Sequence, residues 1–428
     1  MIVGKKIEDG KELTKTKKLG FFTRPKYVYI PLICQSDRDI TTIVKKGEYV
    51  YKGSIVGKRK GAYRLPIYSS VSGTVVDFVE KKHIDGSLVK CVVIENDFKE
   101  KLEEKQAVRK SINDYSKQEF IKRLQECGIV GMGGSGFPTY LKYNTSKKLR
   151  TLIVDAVECE PYITADVSLI KEKCEEILEA IDAIMEINGI KECFIGIKKD
   201  SKIIELLENY LGTYPKIKIA IVPNIYPMGW ERYLVKYVKK TNYKLLPLEK
   251  GIVVNNISTI YAIYEALKYN KPIIERIVTF TGEMLKSPQN VYVKVGTSVR
   301  DVIEFIGGYK RNKDVVIIAG GPMMGKSIDD DDFVVTANLN CVVVMKEQKK
   351  EEVLNCFRCG KCVSICPSRL SPVLIKDSLK NIDNLKELRP EKCIECGLCS
   401  FVCPSKINIR GCVIEGKRKV FKERGDTK

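Results

Sequence analysis

The chain has 428 residues, 44% of them hydrophobic, and its lysines and arginines outnumber its acidic residues by enough to leave a formal net charge of +20. That length predicts about three domains. No run approaches the roughly 18 apolar residues of a membrane span, and the N-terminal stretch has lysines but no apolar core of the signal-peptide kind, so export is not expected. The basic residues are spread out, with no block of five in a row, so the charge is read as a lysine-rich solvated surface first and a partner-docking face second. A nucleic-acid-binding role would rest on charge alone, and no nucleic-acid partner is expected.

Residues 1–25 read as a polar arm. Short strands follow over 26–98: Tyr27–Ile30, Tyr49–Val50, Ser54–Val56, Gly73–Val76 and Val89–Ile94, punctuated by glycines, predict a small all-β module. The phrase Val44-Lys-Lys-Gly-Glu-Tyr-Val-Tyr-Lys-Gly53 resembles the half-repeat of a lipoyl-type barrel-sandwich. Lys58 and Lys60 lie nearby, but the context of a modification site is missing and an unmodified structural barrel is preferred. His83, the only histidine, is expected to be exposed in a charged turn. A charged linker over 97–113 leads to Ser116-Lys-Gln-Glu119, a capping box opening a helix with Phe120, Leu124 and Cys127 on one face.

Next comes Gly131-Met-Gly-Gly-Ser-Gly-Phe-Pro-Thr139. It matches the dinucleotide fingerprint letter by letter, but a helix rather than a strand precedes it, so an ordinary Rossmann turn is not expected. Gly131, Gly133, Gly134 and Gly136 still let backbone N–H groups approach an anion closely. Pro138 is placed to start a helix whose N-terminus favours phosphate. The chain then alternates: strand 152–157, helix 166–187, strand 193–197, helix 201–211 and strand 216–222 make a βαβαβ unit and hence a parallel sheet. Ligands bind such sheets at the carboxyl ends of the strands, where Glu158 and Glu160 lie. Tyr226-Pro-Met-Gly-Trp-Glu-Arg232 and Val253-Val-Asn-Asn-Ile-Ser-Thr259 follow further strands, and either alone would be a weak signal. From Ile277 to Gly307 a strand pair and a short helix are expected, then strand 315–319 and Gly320-Gly-Pro-Met-Met-Gly325, whose Met323 and Met324 either touch a cofactor or simply pack. Asp329 to Asp332 read as a solvated acidic loop.

The C-terminal part, 350–428, carries the most specific motif. Cys356-Phe-Arg-Cys359-Gly-Lys-Cys362-Val-Ser-Ile-Cys366-Pro367 and Cys393-Ile-Glu-Cys396-Gly-Leu-Cys399-Ser-Phe-Val-Cys403-Pro404 are two copies of C-x2-C-x2-C-x3-C-P. In that run three thiolates wrap one iron-sulfur cube and the fourth reaches the other. The spacing therefore assigns Cys356, Cys359, Cys362 and Cys403 to one 4Fe-4S cluster, and Cys393, Cys396, Cys399 and Cys366 to a second. Zinc would use four ligands and leave the third cysteine and the Cys-Pro step unexplained. The other eight of the 16 cysteines show no paired pattern, which points to a reducing, cytoplasmic setting.

Taken together, the glycine loop, Glu158-Cys-Glu-Pro161, Tyr226-Pro-Met-Gly229, Gly320-Gly-Pro-Met-Met-Gly325 and the two-cluster tail resemble the C subunit of the Rnf electron-transport complex over nearly the whole chain. The loop, the Glu-x-Glu-Pro phrase and Val254-Asn-Asn-Ile-x-Thr259 are more distantly similar to the NADH-oxidising flavin subunit of respiratory complex I. The resemblance implies a barrel-sandwich at 26–98, a Rossmann-like α/β domain at 114–271, a β-grasp (SLBB) module at 272–326 and a ferredoxin-type helical domain at 350–428. It also implies FMN as cofactor and NADH as substrate, with electrons leaving singly through the clusters to a partner. On the same ground the loop glycines, Lys142, Asn255, Asn256 and Thr259 would contact FMN. Phe137, Glu158 and Glu160 would lie near FMN or the nucleotide, with Asp155, Tyr226, Gly229 and Glu231 also in the cofactor site. The chain departs from the Rnf pattern at Gly20-Phe-Phe-Thr-Arg-Pro25, in place of Gly-Gly-x-His-Pro, and at Gly229-Trp230-Glu231, in place of Gly-Gly-Glu. The implied partners are other electron-transfer subunits, with any membrane contact peripheral and on the cytoplasmic face, or a soluble reductase such as proline reductase. A non-catalytic wiring subunit is the alternative class.

Overall fold

In the computed structural model, residues 2–33, 40–59, 65–103, 111–311, 314–348 and 351–425 are described; Lys60, Gly61, Glu104 and Lys105 lie outside them. The first strand, β1 (Gly20–Phe22), belongs to the arm. It is followed by β2 (Tyr27–Pro31), β3 (Ile40–Thr42), β4 (Tyr49–Val50), β5 (Ile55–Arg59), β6 (Pro66–Tyr68), β7 (Gly73–Lys82) and β8 (Leu88–Asn96). These make two facing antiparallel sheets, β2-β8-β7-β4 and β3-β5-β6. Side chains alternate across a strand, so Val28 and Ile30 point inward with Val56, Val75, Val92 and Ile94 while Tyr27 and Tyr29 stay half-exposed. Gly73 is required where β7 meets β8, because a Cβ there would come within 1.9 Å of the Glu95 carbonyl oxygen. Lys58 lies within β5, opposite Thr41.

The central domain runs α1 (Lys117–Glu126), α2 (Tyr140–Tyr143), β9 (Thr151–Asp155), α3 (Ala165–Asn188), β10 (Glu192–Lys198), α4 (Ser201–Leu211), β11 (Ile217–Val222), α5 (Glu231–Lys239), β12 (Ile252–Asn256) and α6 (Ile257–Tyr269). The expected capping box opens α1, with Ser116 and Glu119 bonded reciprocally. The sheet is parallel throughout, in the order β11-β10-β9-β12. The chain thus leaves β9 toward β10 and β11 and returns to the far side of β9 as β12. Parallel sheets place their ligand crevice at such a reversal, outside the carboxyl ends of the strands; here that position falls at β9 and β12, where Asp155 and Asn256 stand side by side.

The third unit contains β13 (Glu275–Thr281), β14 (Gln289–Lys294), α7 (Val299–Phe305), β15 (Val315–Ala319), β16 (Lys326–Ile328) and β17 (Cys341–Lys346). Its sheet order is β1-β14-β13-β17-β15-β16. Three of these strands, β1, β16 and β17, were not expected; β16 is only three residues long. β17 is an uninterrupted apolar run, buried on both faces, with no period of two to mark it. β1 comes from the supposed polar arm and pairs in parallel with β14. The C-terminal unit is helical: α8 (Lys361–Ser364), α9 (Pro372–Asp377), α10 (Ile382–Leu388), α11 (Leu398–Phe401) and α12 (Ile409–Glu423) pack around Leu370, Ile375, Leu385, Val413 and Val420.

Two local expectations are corrected. His83 is buried at 6% exposure rather than exposed, because the β7–β8 turn folds it beside Asp85. The acidic loop is not merely solvated: Asp330 and Asp332 pair with Lys82 and Lys81 of β7, and Asp331 with Arg300 and the Tyr309 hydroxyl. Among the described residues no helix is long and apolar enough to cross a membrane.

Candidate functional site

The glycine loop closes on itself. The Gly131 N–H donates to the Phe137 carbonyl at 2.8 Å and the Gly136 N–H to that of Gly131 at 2.9 Å. It is fastened to α6, since the Met132 N–H donates to the Thr259 hydroxyl at 2.9 Å. A Cβ on Gly133 would press on the Asn256 side chain at 3.2 Å, whereas one on Gly134, at φ +113°, would meet nothing within 4 Å. The loop thus lies tight against the start of α6 on one side and offers open backbone on the other. One expectation changes here. The helix begun after Pro138 is a single turn, α2, and the helix end beside the loop belongs to the 13-residue α6, capped by Asn256 through the Ser258 N–H.

Adjacent strand residues face opposite ways, which separates the two asparagines. Asn256 turns to the crevice, donating to the Asp166 carboxylate at 2.6 Å, while Ser258 donates to the other oxygen of the same carboxylate at 2.5 Å. Asn255 is buried and donates to the Tyr143 hydroxyl under the loop. The Lys142 ammonium reaches the Val254 carbonyl at 2.6 Å and lies 3.8 Å from Glu231, and burial holds its pKa below the ordinary value. Burial pushes Asp155 up to about 7 although the Val157 N–H donates to it. Gly229 comes to this carboxyl: a Cβ there would be 3.5 Å from both oxygens.

Glu158 stands at the β9 end in the left-handed region, φ +42°. One carboxylate oxygen caps α3 by accepting the Asp166 N–H at 2.7 Å; the other is buried without a hydrogen-bond donor, 3.8 Å from the Lys11 ammonium. Burial pushes this carboxyl also to about 7. Glu160 points elsewhere. Its oxygen accepts the Met323 and Met324 N–H groups at 2.6 and 2.9 Å, and only glycine at 321 admits it, since a Cβ would lie 2.0 Å from its Cγ. Met323 is packed with Tyr226, Cys396 and Leu398, and Met324 is exposed. The Tyr226 hydroxyl donates to the Cys396 carbonyl at 2.8 Å. Glu160 and Tyr226 therefore form a joint between the crevice and the cysteine-rich unit.

The two cysteine loops repeat one backbone. Arg358, Gly360 and Arg369 have positive φ at the same offsets as Glu395, Gly397 and Lys406. Cys366 lies within electrostatic reach of Cys393, Cys396 and Cys399, and Cys356 and Cys359 within reach of Cys362. The turn after Cys403 returns to the first loop, where the Leu354 N–H donates to the Ser405 carbonyl and the Ser405 hydroxyl to the Asn355 carbonyl. Backbone N–H groups of Glu395 and Leu370 point at the Cys393 and Cys366 sulfurs at 3.3 and 3.4 Å. Burial and the neighbouring thiols push Cys396 to about 11 and Cys399 to about 12, so thiolates gathered here need a cationic centre to hold them. No disulfide joins any of the described cysteines.

Family models match the chain in the order of these units. Residues 2–99 match the RnfC barrel sandwich hybrid domain, 124–265 the Nuo51 FMN-binding domain, 277–327 the SLBB domain and 355–407 the 4Fe-4S dicluster domain. The chain is 32% identical over 376 residues to the C subunit of the proton-translocating ferredoxin:NAD(+) oxidoreductase complex of Clostridium ljungdahlii, covering 86% of this chain and 82% of that one. It belongs to the RnfC family.

A second RnfC relative, the C subunit of the Na(+)-translocating ferredoxin:NAD(+) oxidoreductase complex of Acetobacterium woodii, is 32% identical over 86% of this chain and 84% of its own length. The C subunit of the ion-translocating oxidoreductase complex of Rhodobacter capsulatus is 33% identical over 85% and 72%. The fold is also similar to a chain in the crystal structure of an NAD+-reducing NiFe-hydrogenase, with a TM-score of 0.51 and 15% identity over 73% of this chain and 62% of that one. As an RnfC chain, it carries an FMN-binding domain and a 4Fe-4S dicluster domain. The residues present fit both groups: an open glycine cradle beside a helix N-terminus suits a phosphate, and the grouping of Cys366 with Cys393, Cys396 and Cys399, and of Cys362 with Cys356 and Cys359, suits thiolate ligation of cubes.

Sequence reasoning missed Lys11, Asp166, Lys198 and Arg276. Asp166 was read only as a helix start. Lys11 contacts Glu158 from 147 residues away, and Lys198 donates to the Glu158 carbonyl at 3.2 Å from the end of β10. Arg276 reaches the Met132 carbonyl from the next unit at 3.3 Å. Such contacts leave no local pattern to read.

Proposed function

We propose that this chain is the NADH-oxidising electron-entry subunit of an Rnf-type complex, delivering electrons to partner subunits while seated peripherally on the cytoplasmic face of the membrane. The observation that carries the reading is the crevice at the β9/β12 reversal, roofed by the glycine loop and joined through Tyr226 to a loop of paired C-x2-C-x2-C motifs in the same chain.

Bound FMN supplies hydride acceptance from NADH and one-electron release to 4Fe-4S clusters. The protein's part is position and electrostatics. We assign Gly131, Gly133, Gly134, Gly136 and the start of α6 to the FMN phosphate, with Asn256 and Thr259 holding loop and helix together. Phe137, half-buried on the loop, is assigned to the flavin or nucleotide, and the neighbouring Lys142, Asp155, Gly229 and Glu231 to the cofactor site. Asn255 supports from beneath through Tyr143. Glu158 offers its undonated oxygen to a donor on the nucleotide. Glu160 and Tyr226 hold the cysteine-rich unit against the crevice. Cys356, Cys359, Cys362 and Cys403 would hold one cluster, and Cys366, Cys393, Cys396 and Cys399 the other. The units at 26–98, 114–271, 272–326 and 350–428 are the working modules, the third completed by β16, β17 and, from the arm, β1.

Full-length protein reconstituted anaerobically with iron, sulfide and FMN tests the reading. Flavin absorbance, a two-cluster iron content and NADH:ferricyanide activity are expected. A protein with both clusters but neither flavin nor NADH oxidation would leave only a wiring role.

A further inference from the structure

We infer that Lys11, carried on the N-terminal arm, is a positioning residue for Glu158, so that the arm is a working part of the nucleotide site. The inference rests on the reading of Glu158 as a nucleotide contact.

The arm does not hang free. Lys5 pairs with Tyr226 through two backbone hydrogen bonds of 2.8 and 2.9 Å, and the Val3 N–H donates to the Tyr233 hydroxyl at 3.1 Å. Gly10, at φ +55°, lets the chain lie on the Tyr162 ring, where a Cβ would come within 2.4 Å. The Tyr162 N–H donates to the Asp9 carbonyl at 2.5 Å, and the Thr14 and Thr164 hydroxyls meet at 2.7 Å with both residues fully buried. These contacts deliver one long side chain, Lys11, to the end of β9.

Its ammonium donates to the Glu158 and Ile163 carbonyls at 2.7 and 2.5 Å and lies 3.8 Å from the Glu158 carboxylate. Glu158 is a non-glycine residue at φ +42°, a conformation that persists only where surroundings over-determine it. Lys11 does so by gripping both ends of the Glu158–Ile163 turn, and Lys198 adds a bond to the Glu158 carbonyl. With one carboxylate oxygen bonded to the Asp166 N–H, the other is left for a ligand donor, and the Lys11 charge favours the ionised form that accepts it. The groups facing Glu158 are Lys11 from the arm, Asp166 of α3, Lys198 of β10 and the buried Cys341 thiol of β17; Lys11 and Lys198 favour its ionised form and the Asp166 charge opposes it.

The test is steady-state NADH:ferricyanide kinetics on the reconstituted full chain and on Lys11→Met, Lys11→Arg and Lys15→Met. Lys15 pairs with Asp200 at 2.7 Å outside the crevice and reports on arm docking alone. In Lys11→Met the KM for NADH should rise about tenfold or more with kcat changed far less, and the acid limb of the kcat/KM profile should move to higher pH. Lys11→Arg should recover most of the loss and Lys15→Met should match the parent. A Lys11→Met KM within twofold of the parent, with an unmoved acid limb, overturns the role of Lys11. So does loss of flavin from both Lys11 variants while Lys15→Met keeps it, because Lys11 would then hold up the fold rather than Glu158. A parent chain with no NADH oxidation at all removes the underlying assignment of Glu158 and the role of Lys11 with it.

Discussion

Asp155 and Asn256 face each other across β9 and β12, and the difference between them shows how one residue sets the character of the crevice. Asn256 has its polar atoms satisfied by Asp166 and Ser258. Asp155 has the Val157 N–H but is pushed to about 7 by burial, with Asp166 and Glu231 adding to the rise and Lys142 opposing it. A carboxyl whose pKa is higher folded than unfolded binds protons preferentially in the folded state, so its stability contribution is present at low pH and is lost as pH climbs from about 4 toward 7. Replacing it with an uncharged residue of the same shape removes that slope. Asp155→Asn should therefore gain on the order of 2 kcal/mol at pH 8 relative to pH 5, at about 1.4 kcal/mol per unit of pKa change. Urea melts at the two pH values measure it, and equal gains at both would show that Asp155 is ionised in the folded chain throughout.

The repeated cysteine loops test packing against backbone preference at the scale of an element. Gly360 and Gly397 occupy equivalent places and have similar left-handed backbones, φ +72° and +79°. A Cβ on Gly360 would meet nothing within 4 Å, whereas one on Gly397 would lie 2.7 Å from the Met323 carbonyl oxygen. Alanine at either position carries the left-handed cost of roughly 1 kcal/mol, but only Gly397→Ala must also push the second loop off the 320–325 turn. It should cost about 2 kcal/mol more than Gly360→Ala, in the range of overpacked sites, and slow reduction of the clusters by NADH. Chemical denaturation and stopped-flow cluster bleaching compare the pair; equal effects would mean that the joint yields. β17 makes the complementary point: this central strand went unread because a strand covered on both faces has no alternation to announce it.

At the scale of the whole molecule, a run of alternating charges clasps three units. Lys52 of the barrel and Lys294 of β14 meet Glu100, Lys294 meets Glu275, and Lys271 joins Glu275 to Glu265 of α6. Lys294 is 1% exposed, and the cations around Glu275 hold its carboxyl down at about 2 despite burial. A depressed carboxyl contributes stability that is present above its unfolded pKa and is lost as pH falls from about 4.5 to 2. Lys294→Met leaves Glu275 and Glu100 short of a buried partner and should cost about 3–5 kcal/mol at pH 7. It should also shrink the acid-induced loss, because there is less paired charge left to lose. Thermal melts between pH 3 and 7 show both effects, and an unchanged acid limb would place the acid sensitivity elsewhere.

Sequence by itself determined whatever is local: the cysteine spacing, the capping box of α1, the βαβαβ alternation and the glycine loop, because each depends on neighbours within a turn or two of chain. The family resemblance extended that reading to a flavin domain and an iron-sulfur domain. Only the tertiary structure decided which of two adjacent asparagines faces the crevice, that α6 rather than the turn after Pro138 presents its N-terminus there, and that Glu160 and Tyr226 serve the joint. It alone brought Lys11 to Glu158 and β1 into a sheet with β14. The physical reason is the same in each case: side-chain direction and long-range contact are set by packing between elements, and a polar arm has the same composition whether it is solvated or seated.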